Sequence, residues 1–141
     1  MKEIIATADA PAALGPYAQG IKVNDMIFAS GQLPINPKTN ELVSGGIREQ
    51  TEQVLLNLRS IMEEGEATLD DIVKVNIYMI DLEDFDAMNS VYKLFFPNTE
   101  TSTNLLPARS TVQVARLPRD AQIEMEAIAV ITHSSYEPEL Y

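Results

Sequence analysis

The spacing of apolar residues changes along this chain, and that change most constrains the fold. Between residues 47 and 62, and again between residues 85 and 95, apolar side chains recur every three or four positions, as on one face of an amphipathic helix. Residues 72–80 and 123–131 instead alternate apolar with polar side chains, as half-buried strands do. A chain with both periods has to pack helices against a sheet, so we predict an α+β fold.

The segments between these elements predict the boundaries of the helices and the strand order. Gly65 is a stop for the first helix, Asp81 is placed to cap the second, and Pro97 closes it. The dipeptide Asn24-Asp25 favours a hairpin turn between strands at residues 17–23 and 26–30. Residues 117–120 are interpreted as the turn of a second hairpin, between residues 110–114 and 123–131. We therefore expect a mixed sheet with two helices on one face.

The second face of that sheet is expected to be neither fully polar nor fully apolar. Lys74, Asn76, Tyr78, Glu124 and Glu126 fall on it together with the apolar Ile128. A half-polar sheet face is typical of a subunit interface, and closed homo-oligomers are the commonest assemblies.

Composition excludes several classes of function. The chain has no cysteine, and its single histidine, His133, lies in a polar tail; this excludes a thiol nucleophile, a Cys/His zinc site and a Ser-His-Asp triad. No apolar run reaches the ~18 residues of a membrane span, and we expect no secretory signal. The net charge of −11 disfavours nucleic acid as a partner. We expect a cytoplasmic protein with one domain over residues 1–132 and a tail over residues 133–141.

Arg109 is the first candidate for binding a ligand. It follows a polar loop and begins an alternating segment, so its planar guanidinium could receive a carboxylate or phosphate through two parallel hydrogen bonds. An ion pair with a neighbouring acid is the alternative role for this side chain. If the protein acts on a small molecule, that molecule is expected to be an anion held by Arg109.

Several short motifs occur in a fixed order between residues 5 and 131. They include residues 15–20 (GPYAQG), 30–32 (SGQ), 107–110 (PARS), 114–118 (VARLP) and 123–129 (IEMEAIA). Together they resemble the reactive-intermediate deaminase family, also called RidA or YjgF. The resemblance implies a chorismate-mutase-like α+β fold and a homotrimer with clefts between subunits, without a metal or organic cofactor. The implied activity converts imines such as 2-iminopropanoate and 2-iminobutanoate, formed from enamines such as 2-aminoacrylate, to 2-oxo acids and ammonia.

The same resemblance assigns roles to individual residues. It implies that Arg109 binds the substrate carboxylate and that Glu124 handles the water. The other implied pocket residues are Tyr17, Ser30, Gly31, Asn89 and Thr111. Each has a simpler structural role as its alternative: Tyr17 could pack, Ser30 could cap a turn, and Asn89 could satisfy buried backbone groups. Glu124 and Glu126 share one strand face, and only the resemblance favours Glu124.

This chain departs from the family pattern in three places. Thr111 stands where cysteine is common, but the implied contact there uses the backbone amide. The loop over residues 98–106 is longer than usual, and the tail over residues 133–141 extends past the usual end. The loop leads into Arg109, so its length is expected to influence the shape of the pocket.

The predicted second hairpin has a consequence for the site. It would place Glu124 opposite Gln113 and put Arg109 four residues further along on the same face, roughly 13 Å away at ~3.3 Å per residue. One small imino acid cannot bridge that distance within one chain. Completion of the site across a subunit boundary would resolve the distance, and so would a β-bulge.

Two other functions compete with imine hydrolysis. One is a regulatory trimer that binds a metabolite in the same clefts without turnover. The other is a ribonuclease or translation-inhibitor activity, which should show clustered basic residues or stacking aromatics. Glu124 favours catalysis over binding alone, and the charge of the chain disfavours the ribonuclease.

Overall fold

The structure is a computed structural model that describes residues 1–97 and 106–132. Its first half contains β1 (Lys2–Ile5), β2 (Gly20–Val23), β3 (Met26–Gln32), the short strands β4 (Ile35–Asn36) and β5 (Glu41–Leu42), and helix α1 (Ile47–Glu64). Its second half contains β6 (Ile72–Met79), α2 (Phe85–Phe95), β7 (Ala108–Gln113) and β8 (Ile123–Val130). No helix in the described residues is long and apolar enough to cross a membrane.

Six strands form one mixed sheet in the order β1-β2-β3-β8-β6-β7. Strands β6 and β7 are parallel, and every other pair in this sheet is antiparallel. Both helices pack on the same face and share one apolar core with the sheet. The α+β class and the two helices on one face are therefore confirmed.

The core forms where the two apolar periods meet. The apolar face of α1 and the inward-facing positions of β6 and β8 supply side chains that are fully buried. Among them are Val54, Leu58, Ile61, Val75, Ile77, Ile123 and Met125. Their polar neighbours on β6 and β8 face the opposite side of the sheet, where the described residues place no α-helix. The strand pattern that predicted the core also leaves one half-polar face open.

The N-terminal hairpin is confirmed, with one strand beginning later than predicted. Val23 pairs with Met26 across Asn24-Asp25, and Asn24 adopts a positive φ of 52°, which this turn favours. Strand β2 begins at Gly20, so Tyr17 lies in the preceding loop. The sequence analysis missed β1, because Ile5 alone of its four residues is buried and leaves no alternation to detect.

Gly65 ends α1 as predicted, but for a different reason from the one expected. Its φ of −83° is open to any residue. However, a Cβ at this position would lie 2.6 Å from Cδ1 of Ile27. The glycine is required by the close approach of the helix end to β3.

The predicted second hairpin is wrong. Strand β7 pairs with β6, and β8 pairs with β3 and β6, so β6 lies between the two strands expected to be neighbours. The connecting segment passes over the end of β6, where Val114 N–H donates to Met79 O and Ile80 N–H donates to Gln122 O. Alternation shows that a segment is a strand, but it does not show which strand lies beside it.

Asn57 ties α1 to the segment around β4. Its side chain is fully buried, and its Nδ2 donates to the carbonyl oxygens of Leu33 and Ile35, each at 3.0 Å. One amide thus satisfies two carbonyls of a segment that has little other secondary structure.

Replacing this amide with an apolar side chain should destabilise the fold. We expect Asn57→Leu to lower the free energy of unfolding by about 1–3 kcal/mol, because the buried carbonyls of Leu33 and Ile35 both lose the Asn57 amide, although that of Leu33 still accepts from the N–H of Ile35. Urea denaturation measures the change. Gln53→Ala, which removes only a partly buried bond to Asn57, is the control and should cost less than about 1 kcal/mol. Equal losses for both variants would contradict this role for Asn57.

Candidate functional site

Arg109 lies on β7 with its side chain against α2. Its Nη1 donates to Oδ1 of Asn89 at 2.7 Å. Its Cζ is 4.7 Å from the ring centroid of Tyr92 and 5.5 Å from that of Phe85, distances at which a guanidinium is attracted to an aromatic ring. One hydrogen bond and two rings therefore hold this cation in place.

The three partners of Arg109 share one stripe of α2. Phe85, Asn89 and Tyr92 are spaced four and three residues apart, so they lie on the same side of the helix. Within residues 1–97 and 106–132 no carboxylate forms an ion pair with Arg109. The alternative role as an ion-pair partner is therefore not observed there, and only one of the five N–H donors of the guanidinium is used by Asn89.

Glu124 lies on β8, on the open face of the sheet, and borders a cavity of about 230 Å³. The cavity is lined by Glu124, Gly31, Gln32, Leu33, Ile35, Pro118, Gln19 and residues 11–17. The lining is largely apolar apart from this carboxylate and two side-chain amides. Such a cavity could enclose a small organic molecule and present Glu124 to it.

A β-bulge brings Gly31 next to Glu124. The register between β3 and β8 shifts between Ala29 and Gln32, so residues 30 and 31 are released from the regular ladder. Gln32 Nε2 donates to the carbonyl oxygen of Ser30 at 3.1 Å, inside the bulge. A Cβ on Gly31 would lie 2.9 Å from Cδ and Oε2 of Glu124. Only glycine leaves room for this carboxylate.

Gln19 holds the loop that walls the cavity. Its Nε2 donates to the carbonyl oxygens of Thr7, Ala10 and Pro11, and its Oε1 accepts from the backbone N–H of Thr7 at 2.7 Å. Further along the loop, the hydroxyl of Tyr17 accepts from the backbone N–H of Leu14. A buried amide thus fixes a loop that has no strand or helix of its own.

The pKa of Glu124 is raised above its usual range, first because burial penalises the carboxylate and second because Glu126 is nearby. Glu126 accepts hydrogen bonds from the hydroxyl of Tyr78 and from Nδ2 of Asn76. This bond to Glu126 is the main reason that the pKa of Tyr78 is raised to about 12. The two carboxylates therefore differ: Glu126 is committed to neighbouring side chains, whereas Glu124 borders the cavity with a raised affinity for a proton.

Arg109 and Glu124 lie on opposite faces of the sheet, which corrects the expectation that they share one. Arg109 pairs with Val75, which faces the helices, and Glu124 pairs with Tyr78, which faces away from them. Three residues along the strand and two strands across separate their Cα atoms by roughly 14 Å. A single small ligand therefore cannot reach the Arg109 and Glu124 positions of one chain together.

The structure divides the predicted site residues between these two positions. Tyr17 and Gly31 line the cavity beside Glu124. Asn89 binds Arg109, and Thr111 follows it on the same side of β7. Ser30 does not line the 230 Å³ cavity; its hydroxyl donates to the carbonyl oxygen of Ala18 and holds the loop end.

Sequence reasoning missed the supporting residues at both positions. Gln19, Gln32 and Pro118 fall within the quoted motifs but received no role, because their roles depend on a loop and a bulge. Phe85 and Tyr92 were placed only in the apolar repeat of the second helix, although their spacing with Asn89 on α2 could have indicated a shared target. His133, the tail over residues 133–141 and most of the loop over residues 98–106 lie outside the described residues.

Metal-binding groups are not assembled in the described part of the chain. Within residues 1–97 and 106–132 no three His, Cys, Asp or Glu side chains are close enough together to hold an ion.

Comparison with known proteins gives consistent matches over nearly the whole chain. The family model described as Endoribonuclease L-PSP matches residues 7–131. A RutC family protein of Pyrococcus abyssi is 51% identical over 128 residues, 91% of this chain and 96% of the relative. The 2-iminobutanoate/2-iminopropanoate deaminase of Escherichia coli is 48% identical over 130 residues, 92% of this chain and 98% of the relative. The crystal structure of E. coli TdcF with bound serine superposes with a TM-score of 0.85 at 42% identity, covering 92% of this chain and 99% of that one.

The raised pKa of Glu124 predicts a pH-dependent effect of Glu124→Gln on stability. The folded state binds the Glu124 proton more tightly than the unfolded state, so the wild type loses stability as the pH rises through the unfolded and then the folded pKa. The glutamine side chain does not ionise, so the variant does not lose stability in this way. We expect the variant to have a higher Tm than the wild type at pH 7 and the difference to vanish below about pH 4.

Differential scanning calorimetry from pH 4 to pH 8 measures this difference. Glu52→Gln, at an exposed position on α1, makes the same change in net charge and is the matched control. If the Tm of Glu124→Gln at pH 7 rises no more than that of Glu52→Gln, burial of the Glu124 carboxylate does not destabilise the fold.

Proposed function

We propose that this chain, which belongs to the Endoribonuclease L-PSP family that includes the RidA deaminases, hydrolyses 2-imino acids to 2-oxo acids and ammonia. The observation that carries the proposal is the pair of complementary half-sites, a held guanidinium on one face of the sheet and a protonatable carboxylate beside a cavity on the other. The name of the E. coli relative and the serine bound to TdcF support a small amino-acid-derived substrate.

The substrate carboxylate binds Arg109. Asn89 and the two aromatic rings orient the guanidinium, so little side-chain entropy remains to be lost when the anion binds. The N–H groups that Asn89 does not use can form two parallel bonds to the carboxylate. This places the C=N carbon of the substrate at a fixed distance from the cation.

Glu124 activates the water. Its carboxylate accepts a proton from water as the oxygen attacks the imine carbon, and the C=N bond becomes a C–N single bond in a carbinolamine. Glu124 then returns the proton to the nitrogen. The hydroxyl proton of the carbinolamine then passes through Glu124 to the NH2 group. The C–N bond breaks with its electron pair on nitrogen, the oxygen forms the C=O of the 2-oxo acid, and ammonia leaves. A raised pKa suits a group that must both take up and release a proton near neutral pH.

The complete site forms between copies of the chain in a homotrimer. The opposite-face positions of Arg109 and Glu124 support this assembly, because a copy that presents its Arg109 edge to the cavity of its neighbour unites the two halves. The open face of the sheet also leaves Phe28 and Val112 more than a third exposed, which favours burial against another subunit.

Arg109 and Glu124 have separable roles that two conservative variants test. Arg109→Lys keeps the charge but loses the planar two-point grip, so we expect at least a 100-fold loss in kcat/KM through weaker carboxylate binding. Glu124→Gln keeps the shape but cannot accept the proton, so kcat should fall by a similar factor while 2-oxo acids still bind.

The assay couples the protein to an amino-acid oxidase that generates the imine and follows the loss of imine and the release of ammonia. Calorimetric titration with 2-oxobutanoate measures binding separately from turnover. Wild-type rates for Arg109→Lys would refute the proposed mechanism. Binding of the 2-oxo acid without any turnover by the wild type would favour a regulatory metabolite-binding protein.

Mixing the two inactive variants tests where the site forms. If Arg109 of one copy meets Glu124 of another, mixed trimers of Arg109→Lys and Glu124→Gln contain some sites with both native residues. We expect co-refolded mixtures to regain activity that neither variant has alone. Mixtures that stay inactive although mass spectrometry shows mixed trimers, or a wild type that stays monomeric and active, would contradict the shared site.

A further inference from the structure

Two hydroxyl groups beside Arg109 are buried and have no acceptor for their protons in the described part of the chain. They are Oη of Tyr92 and Oγ1 of Thr111. Tyr92 is only 7% exposed, and its ring is the one that lies 4.7 Å from Cζ of Arg109. Thr111 is two residues from Arg109 on the same side of β7. Both orphaned hydroxyls therefore belong to the surroundings of one cation.

An unpaired buried hydroxyl is costly. Removing such a group from water without a new partner costs about 1–3 kcal/mol in proteins. Phenylalanine and valine would fill these positions with the same shape and no unpaired group. Two such costs next to the anion-binding cation indicate that the hydroxyls gain partners when a ligand binds.

The phenol of Tyr92 is suited to donate a hydrogen bond to an anion. Burial raises its pKa to about 12, and Arg109 offsets this only in part, through its charge and as a hydrogen-bond donor to the phenol oxygen. The hydroxyl is therefore protonated at neutral pH. A guanidinium cannot accept a hydrogen bond, so Arg109 leaves the O–H of Tyr92 without an acceptor. A threonine hydroxyl is a donor at any pH and a stronger one than the thiol of a cysteine.

We propose that the hydroxyls of Tyr92 and Thr111 donate hydrogen bonds to the carboxylate that Arg109 binds, and that this anion satisfies both groups. The proposal rests on the proposed function, in which Arg109 receives a substrate carboxylate. The Thr111 contact is additional to the one implied for its backbone amide. The carboxylate then lies among three side-chain donors, one charged and two neutral.

This arrangement predicts opposite effects on stability and on binding. Without ligand, Tyr92→Phe and Thr111→Val should unfold at the same or a higher temperature than the wild type, because each removes an unpaired polar group. The Kd for 2-oxobutanoate should rise about 10-fold or more for each variant, as expected when a hydrogen bond to a charged group is lost. KM should rise with it and kcat should change less, because the carboxylate is held alike in the ground and transition states.

Tyr78→Phe is the matched control for the stability measurement. The hydroxyl of Tyr78 already donates to Glu126, so its removal should lower the Tm, unlike the removal of the Tyr92 hydroxyl. Calorimetric unfolding of each protein without ligand and titration with 2-oxobutanoate give the two quantities. Tyr92→Phe and Tyr78→Phe each remove one hydroxyl group, and Thr111→Val replaces a hydroxyl with a methyl group of similar size.

Two results would overturn the proposal. A lower Tm for ligand-free Tyr92→Phe and Thr111→Val would show that the hydroxyls already have partners in the free protein. An unchanged Kd for 2-oxobutanoate would show that they do not contact the anion. In either case Arg109→Lys still tests the proposed function independently. If that variant loses 2-oxo acid binding, Arg109 binds the carboxylate even though the two hydroxyls do not contribute.

Discussion

Strand β6 lies between the strands that carry the two charged candidate residues, and its hydrogen bonds determine their separation. It pairs in parallel with β7 and antiparallel with β8. Since paired residues face the same side, Arg109 follows Val75 towards the helices and Glu124 follows Tyr78 to the open face. The same strand supplies the centre of the core through Val75 and Ile77. Folding of the core and division of the site into two halves thus depend on one strand.

The repeat of apolar residues was sufficient to predict both helices and the longer strands, but it missed β1 and the short strands β4 and β5 and did not show which strands are neighbours. The stripe that begins at Ile47 and the alternation over residues 72–80 correspond to α1 and β6 almost to the residue. The second hairpin was wrong because strand partners are chosen by the packing of the whole sheet and not by local pattern. Residues 114–122 are long enough to pass over the end of β6, and a tight turn was not required.

The sequence predicted those parts of the candidate site that depend on the chemistry of a single residue. Arg109 stood out because of its chemistry and its place at a strand start. Glu124 and Glu126 could not be separated by residue type, since they have the same parity on β8. The structure separates them through their surroundings: Tyr78 binds Glu126, whereas the bulge at Gly31 opens a cavity beside Glu124. A bulge is an interruption of the ladder, and it has no periodic signal in the sequence.

The four hydrogen bonds of the Gln19 amide limit how this protein can diversify. Surface loops usually accept insertions and deletions, but the span from Thr7 to Gln19 is tied at Thr7, Ala10 and Pro11 by one side chain. A change in loop length between those points would break several bonds at once. The cavity wall can therefore vary in the side chains it carries, such as Leu14, more readily than in its backbone path. Proteins that share this anchor should differ in ligand size through point substitutions and not through longer or shorter loops.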